Sequence, residues 1–193
     1  TDITDKIPAD FKSGVFDSAW TAAAYQGKYY GVPWINDTKF FFYNKKMLGD
    51  AGITTAPKTW DDVVAAATAV KAKGIVQYPI VASWKQAEAV ICDYAVILGE
   101  KGGQFTDASG KLDVNNAAGV AALAWMRQTI TDGLTDPASL TFLEDDTDKS
   151  IAAGKTAMEL NWESTLRDQN DPSISKVVGQ IGVSAPPKGE TGK

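Results

Sequence analysis

Apolar residues recur along this chain with two spacings, a helical period of about 3.6 residues and short near-continuous runs, and the two alternate in order. Between Thr59 and Lys73, residues Trp60, Val63, Val64, Ala67 and Val70 fall on one helical face. Thr59 with Asp62 has the form of a capping box in which Asp replaces Glu, so a helix is expected to begin there and Gly74 to stop it. Val76 to Ala82 reads as a buried strand, with Pro79 marking an edge or irregularity. Ala87, Val90, Ile91, Tyr94, Ile97 and Leu98 trace a second helical stripe that Gly99 should end. A turn or small hairpin is expected around Gly102-Gly103 and Asp107 to Gly110. A third helix carries Ala117, Val120, Leu123, Ala124 and Ile130, and a fourth lies within Leu143 to Ala153. Lys155 to Leu160 is strand-like, Glu163 to Gln169 a short helix, and Gly179 to Ser184 a last strand before Pro186-Pro187.

The beginning of the chain has a different texture. Pro8 to Tyr25 predicts one or two short helices before the turn Gln26-Gly27-Lys28, with an apolar face whose packing partner is not evident. Tyr29 to Tyr43 then holds two strand-like runs divided by Asn36-Asp37-Thr38; Phe40 to Tyr43 is apolar on both faces, as in a strand buried between helical layers. Strands separated by helices of about a dozen residues imply an α/β fold, with a largely parallel sheet covered by helices on both faces.

Composition narrows the function. The 193 residues are 44% hydrophobic and 22% charged, ordinary for a globular chain, and the net charge is −5. The 19 basic residues are scattered, so no stripe suited to nucleic acid forms. No apolar run approaches the ~20 residues of a membrane-spanning helix. There is no histidine, which removes Ser/His/Asp triads, Cys/His dyads and His-containing zinc patterns. The single cysteine, Cys92, lies in Val90-Ile91-Cys92 and reads as a buried small hydrophobe. Thr1 to Lys6 lacks the basic-then-apolar order of a signal peptide, so the beginning is expected to be either a mature start or a truncation.

Three local patterns invite a chemistry they do not support. Gly154-Lys155-Thr156 would need a glycine where Lys149 stands to be a phosphate-binding loop, and reads as a helix stop followed by a strand. Glu144, Asp145, Asp146 and Asp148 lack the ligand spacing of a calcium loop and read as the acidic start of a helix. Asp107, Ser109 and Asp113 around Gly110 read as a turn. No metal or cofactor is therefore expected.

The aromatic residues say more. Trp60 and Trp125, within helices, are expected to pack, whereas Trp34, Trp84 and Trp162 each sit beside a polar break at the end of a strand-like run. In open α/β sheets such loops converge on the ligand. A pyranose offers an apolar C–H face to an aromatic ring and a rim of hydroxyls to amides and carboxylates. Trp34, Asn36, Asp37, Trp84, Gln86, Trp162 and Glu163 are accordingly the candidate ligand-binding residues. Two alternatives remain open: a binder of another polar solute such as a polyamine, and a glycoside hydrolase using Asp37 and Glu163 as carboxylates about 5 to 9.5 Å apart.

Gly27-Lys28-Tyr29-Tyr30-Gly31-Val32-Pro33, Tyr43-Asn44-Lys45-Lys46-Met47-Leu48, Ala51-Gly52-Ile53, Pro57-Lys58-Thr59-Trp60-Asp61-Asp62 and Gly154-Lys155-Thr156-Ala157-Met158 occur in an order that resembles the extracellular solute-binding proteins of carbohydrate ABC transporters, the maltose-binding-protein class. The resemblance implies a non-enzymatic, extracytoplasmic, monomeric receptor that closes on a sugar between two lobes and delivers it to ABC transporter membrane subunits, with lipid tethering one way of holding it outside the cell. It implies further that this chain is a fragment: 1–31 a remnant of the first lobe, 32–43 a hinge-crossing strand, 44–185 the second lobe, and 186–193 the approach to a second crossing. By the same resemblance Trp34 to Asp37 lie beside the cleft and Trp84 begins a loop facing the sugar. Trp162-Glu163 stands where many relatives have a Gly-containing turn.

Overall fold

Two short helices and a hairpin form the amino-terminal stretch: α1 (Ala9–Ser13), α2 (Asp17–Ala23), β1 (Ala24–Tyr25) and β2 (Lys28–Tyr29), after a single 3-10 turn at Thr4–Lys6. The strands pair antiparallel through a turn in which Gln26 (φ 48°) and Gly27 (φ 76°) are both left-handed, the geometry that matches strand twist and that glycine adopts without strain. Trp20 is buried between Phe11 and Tyr29, both edge-on to its ring, and its indole N–H donates to the Lys12 carbonyl at 3.2 Å. The computed structural model describes residues 1–189 and separates into two compact units, Thr1–Thr38 and Lys39–Lys193. The division falls inside the 32–43 stretch expected to cross between lobes.

Of the two strand-like runs expected in Tyr29 to Tyr43, the first does not form. Tyr30 to Thr38 has no regular element. Aromatic and β-branched residues favour a pleated surface only where a neighbouring strand provides one, and Pro33 removes a donor. Apolar side chains stay outside: Phe16, Trp34 and Ile35 are 76%, 93% and 73% exposed.

The second unit is organised by β3 (Lys39–Asn44), flanked by β4 (Met158–Trp162) and β5 (Ile181–Ser184) in the order β4-β3-β5. Both pairings are antiparallel, which corrects the expectation of a largely parallel sheet. Hydrophobic periodicity identifies strands but carries no information about direction, and β3 runs opposite to both neighbours. Among the described residues parallel pairing is confined to isolated bridges, such as Ile80 to Met158 and Ile80 to Thr135. The Val76 to Ala82 run therefore contributes bridges in place of a full strand. Pro79 has no N–H to give, but its carbonyl accepts from Ala157 and Met158, both at 2.9 Å.

Helices cover both faces. On one, Phe41, Met158 and Leu160 pack with Trp60, Val63 and Val70 of α4 (Trp60–Ala72), Tyr94, Ile97 and Leu98 of α5 (Glu88–Glu100), and Ala122 and Met126 of α6 (Ala117–Thr131). On the other, Phe42 and Val81 meet Ile151 of α7 (Glu144–Ala152) and Val177, with Leu166 of α8 (Thr165–Gln169) alongside. A further short helix, α3 (Lys45–Asp50), lies between β3 and α4. The Thr59 capping box forms as expected: Asp62 N–H donates to Thr59 Oγ1 at 3.1 Å and Thr59 N–H to Asp62 Oδ2 at 3.0 Å. α5 runs through Gly99 to Glu100, and Gly102 (φ 78°) supplies the left-handed exit. Gly154 (φ 69°) ends α7, the helix stop expected at Gly154-Lys155-Thr156. Near the end of the described residues Trp60 N–H donates to the Lys188 carbonyl and Lys188 N–H to that of Lys58. Residues 190–193 of the 186–193 segment lie outside the described residues.

Candidate functional site

Register places Lys39, the first residue of β3, directly across from Trp162, the last of β4, so their side chains share one face at one end of the sheet. Two further segments reach the same end. Trp84 N–H donates to the Ser139 carbonyl at 2.9 Å and Lys85 N–H to that of Phe142 at 3.2 Å, which draws Ser83 to Gln86 alongside the residues that lead into α7. Trp162 Nε1 donates to Glu144 Oε1 at 3.4 Å, in the first turn of α7. The Trp84 and Trp162 loops thus flank the same Phe142 to Glu144 segment.

The chemistry there centres on a lysine that the sequence reading did not single out. Lys39 is 4% exposed; its Nζ donates to Asp93 Oδ1 at 2.6 Å and Ser83 Oγ at 3.4 Å, lies 3.8 Å from Glu144 Oε1, and sits 4.9 Å from the Trp162 ring centre. Ser83 Oγ donates in turn to Asp93 Oδ2 at 3.3 Å. Burial pushes the Asp93 carboxyl up, opposed by the Lys39 charge and by hydrogen bonds from Lys39 and Ser83. Removing one partner of such a buried pair costs about 3–5 kcal/mol, because the other charge is stranded. One signal was available: Lys39 directly precedes the apolar run Phe40 to Tyr43, and Asp93 stands three residues after Val90 and four before Ile97, on the buried stripe of α5.

Behind the sheet a second polar layer anchors the strand that carries Trp162. Glu159 is buried; Gln169 Nε2 donates to its Oε1 at 2.7 Å and Asn161 Nδ2 to its Oε2 at 3.2 Å. Asn161 also donates to Thr147 Oγ1 at 3.1 Å and the Glu144 carbonyl at 3.2 Å, which ties β4 to α7. Burial pushes the Glu159 carboxyl up to about 8, against hydrogen bonds from its neighbours, so near neutrality it is largely protonated. Asp148 is likewise pushed up, chiefly by burial.

The expected ligand-binding residues separate into two groups. Trp34, Asn36 and Asp37 are exposed and belong to the first unit, where Ile35, Asn36 and Asp37 line a shallow depression of about 470 Å³ with Ala19, Ala22 and Val32. Gln86, Trp162 and Glu163 belong to the second unit, Trp162 half-buried and the other two exposed. Trp84 differs from the rest: it is 6% exposed, edge-on to Trp125 at 6.5 Å, and lines a cavity of about 20 Å³ with Trp60, Trp125 and Ile97. Its ring is taken up by the core. The pairing of Trp60 with Trp125, centroids 4.7 Å apart, is the helix packing expected of both. Cys92, expected to be buried, is partly exposed and its Sγ donates to Glu88 Oε1 at 2.8 Å. Glu144, Asp145 and Asp146 form the first turn of α7, and Asp146 Oδ2 accepts from Leu143 N–H at 3.0 Å, so this cluster is a helix start. Among the described residues no group of His, Cys, Asp and Glu has the arrangement of a metal site, and no helix is long and apolar enough to cross a membrane.

The sequence and the fold have relatives. A probable ABC transporter-binding protein of Deinococcus radiodurans is 29% identical over 198 residues, covering all of this chain and 46% of that protein. The maltose-bound structure of T. maritima MalE3 superposes with a TM-score of 0.89 at 27% identity, over all of this chain and 49% of that one. A chitin oligosaccharide binding protein gives a TM-score of 0.76 at 26% identity, over 88% of this chain and 42% of that one. The chain thus spans about half the length of the relatives it matches. The family model for bacterial extracellular solute-binding proteins matches residues 1–193, and the chain belongs to that family.

Proposed function

We propose that this chain supplies one wall of a cleft that captures a sugar or oligosaccharide without chemical change, and that the longer protein delivers it to the membrane subunits of an ABC transporter. One observation carries the reading: at the end of β4 a half-buried indole, Trp162, is hydrogen-bonded to a carboxylate, Glu144, in a chain of the solute-binding family. An aromatic face beside a planar acceptor suits the C–H face and hydroxyl rim of a pyranose. The maltose and chitin-oligosaccharide binders among its structural relatives support the saccharide class.

In this reading Trp162, Glu163 and Gln86 meet the ligand from the second lobe, while Trp34, Asn36 and Asp37 lie on the crossing. Trp84 serves beneath the surface as support. Residues 1–31 are the remnant of the first lobe, 32–43 the crossing, 44–185 the second lobe, and 186–193 the approach to the second crossing. The receptor works outside the cytoplasm as a monomer, lipid-anchored or free. Titration of this chain and of a form extended by a first lobe with maltose and N,N′-diacetylchitobiose, followed by tryptophan fluorescence, tests the assignment. Binding is expected to be weak in the chain, stronger in the extended form, and lost in Trp162→Ala; no response of the extended form to either sugar overturns it.

A further inference from the structure

The Lys39–Asp93 pair is difficult to explain as a stabilising feature. Lys39 occupies the face of β3 that next carries Phe41, where an apolar side chain would pack on α4 and α5, and replacing a buried ion pair with apolar residues is commonly neutral or stabilising. The pair does achieve one thing that an apolar pair would not. Asp93 and Ser83 hold the ammonium from below, leaving it 3.8 Å from Glu144 Oε1 and 4.9 Å from the centre of the Trp162 ring, while that ring donates its N–H to the same Glu144 oxygen. Lys39, Glu144 and Trp162 form a closed triangle in which each member restrains the other two. With a desolvated cation beneath it, the indole has one preferred orientation.

We infer that Lys39 is a positioning residue of the ligand wall: held by Asp93 and Ser83, its ammonium sets the Trp162 ring and the Glu144 carboxylate in the arrangement that meets a saccharide. The inference rests on the sugar-binding reading, but its geometric part is measurable without ligand.

In the wild-type chain the Lys39 ε-methylene protons, next to the ammonium that sits 4.9 Å from the Trp162 ring centre, should be shifted upfield in the NMR spectrum, and the shift should vanish in Trp162→Leu. An unshifted ε-methylene overturns the inference whatever the variants do. Lys39→Met strands the Asp93 charge and will unfold part or all of the chain, so the informative variant is Lys39→Met/Asp93→Leu. If the pair only fills space, this double variant recovers both the melting temperature and the Trp162 indole N–H resonance. The inference expects the melting temperature to recover, the indole resonance to move, and acrylamide quenching of Trp162 to increase; an unmoved resonance overturns it. Binding is read separately with maltose and N,N′-diacetylchitobiose in the form extended by a first lobe, with the wild-type residues and with the double substitution. Equal affinity in both overturns the inference. Absence of binding in the wild type with the ring-current shift intact counts against the sugar reading and leaves the positioning geometry standing.

Discussion

Glu159 offers a quantitative test of the polar layer behind the sheet. Its carboxyl is fully enclosed, and burial raises it from an ordinary 4.5 to about 8. Between those two values the folded chain holds a proton that the unfolded chain has released. Stability therefore falls as pH rises through this window, by about 1.4 kcal/mol per pH unit where the full proton difference applies, and levels off above pH 8. Glu159→Gln keeps the shape and cannot ionise. Its amide oxygen still accepts from Gln169 or Asn161. Urea unfolding at pH 5, 6, 7 and 8, followed by tryptophan fluorescence, should show wild-type stability declining more steeply than that of the variant, the gap growing by about 1 kcal/mol per unit between pH 5 and 7. Asp148, also raised by burial, adds a decline in the same direction in both proteins, and because its charge is one of the causes that raise Glu159, the difference between them reports Glu159 together with that coupling. Parallel pH profiles for the two would refute the account of Glu159 as a buried neutral acid.

Two further outcomes are expected. Thr59→Ala removes the acceptor of the Asp62 N–H and with it half of a reciprocal cap, so the urea midpoint should fall by an amount equivalent to about 1 kcal/mol without a change in m-value. Cys92, pushed up to about 11 by burial and by the neighbouring Glu88 carboxylate, should react with a maleimide near neutral pH far more slowly than a free cysteine, its thiolate fraction reduced on the order of a hundredfold, and Glu88→Gln should speed it.

Much of this molecule can be read from its sequence because the signals involved are local. The helix from Trp60 to Ala72 with its Thr59 cap, the stripe that became α5, the acidic start of α7, the Gly154 stop and the doubly apolar strand at Phe40 to Tyr43 each depend on neighbours within a turn or two, so spacing and residue type suffice. The order of short motifs likewise pointed to the solute-binding family, whose model matches residues 1–193. Strand direction was not legible: a strand inserted between two others has the same alternation whichever way it runs, and only long-range pairing at Phe41 with Leu160 and Ser184 made the sheet antiparallel. Nor could spacing separate a half-open tryptophan from a core one. Trp84 and Trp162 both close strand-like runs with polar residues, yet packing against Trp125 and a loop held by Ser139 bury the first, while the second remains half-open at the sheet end. The lysine beneath it was decided only by folding. Lys39 and Asp93 are 54 residues apart, and what they do for Trp162 exists only once β3, β4 and α5 meet.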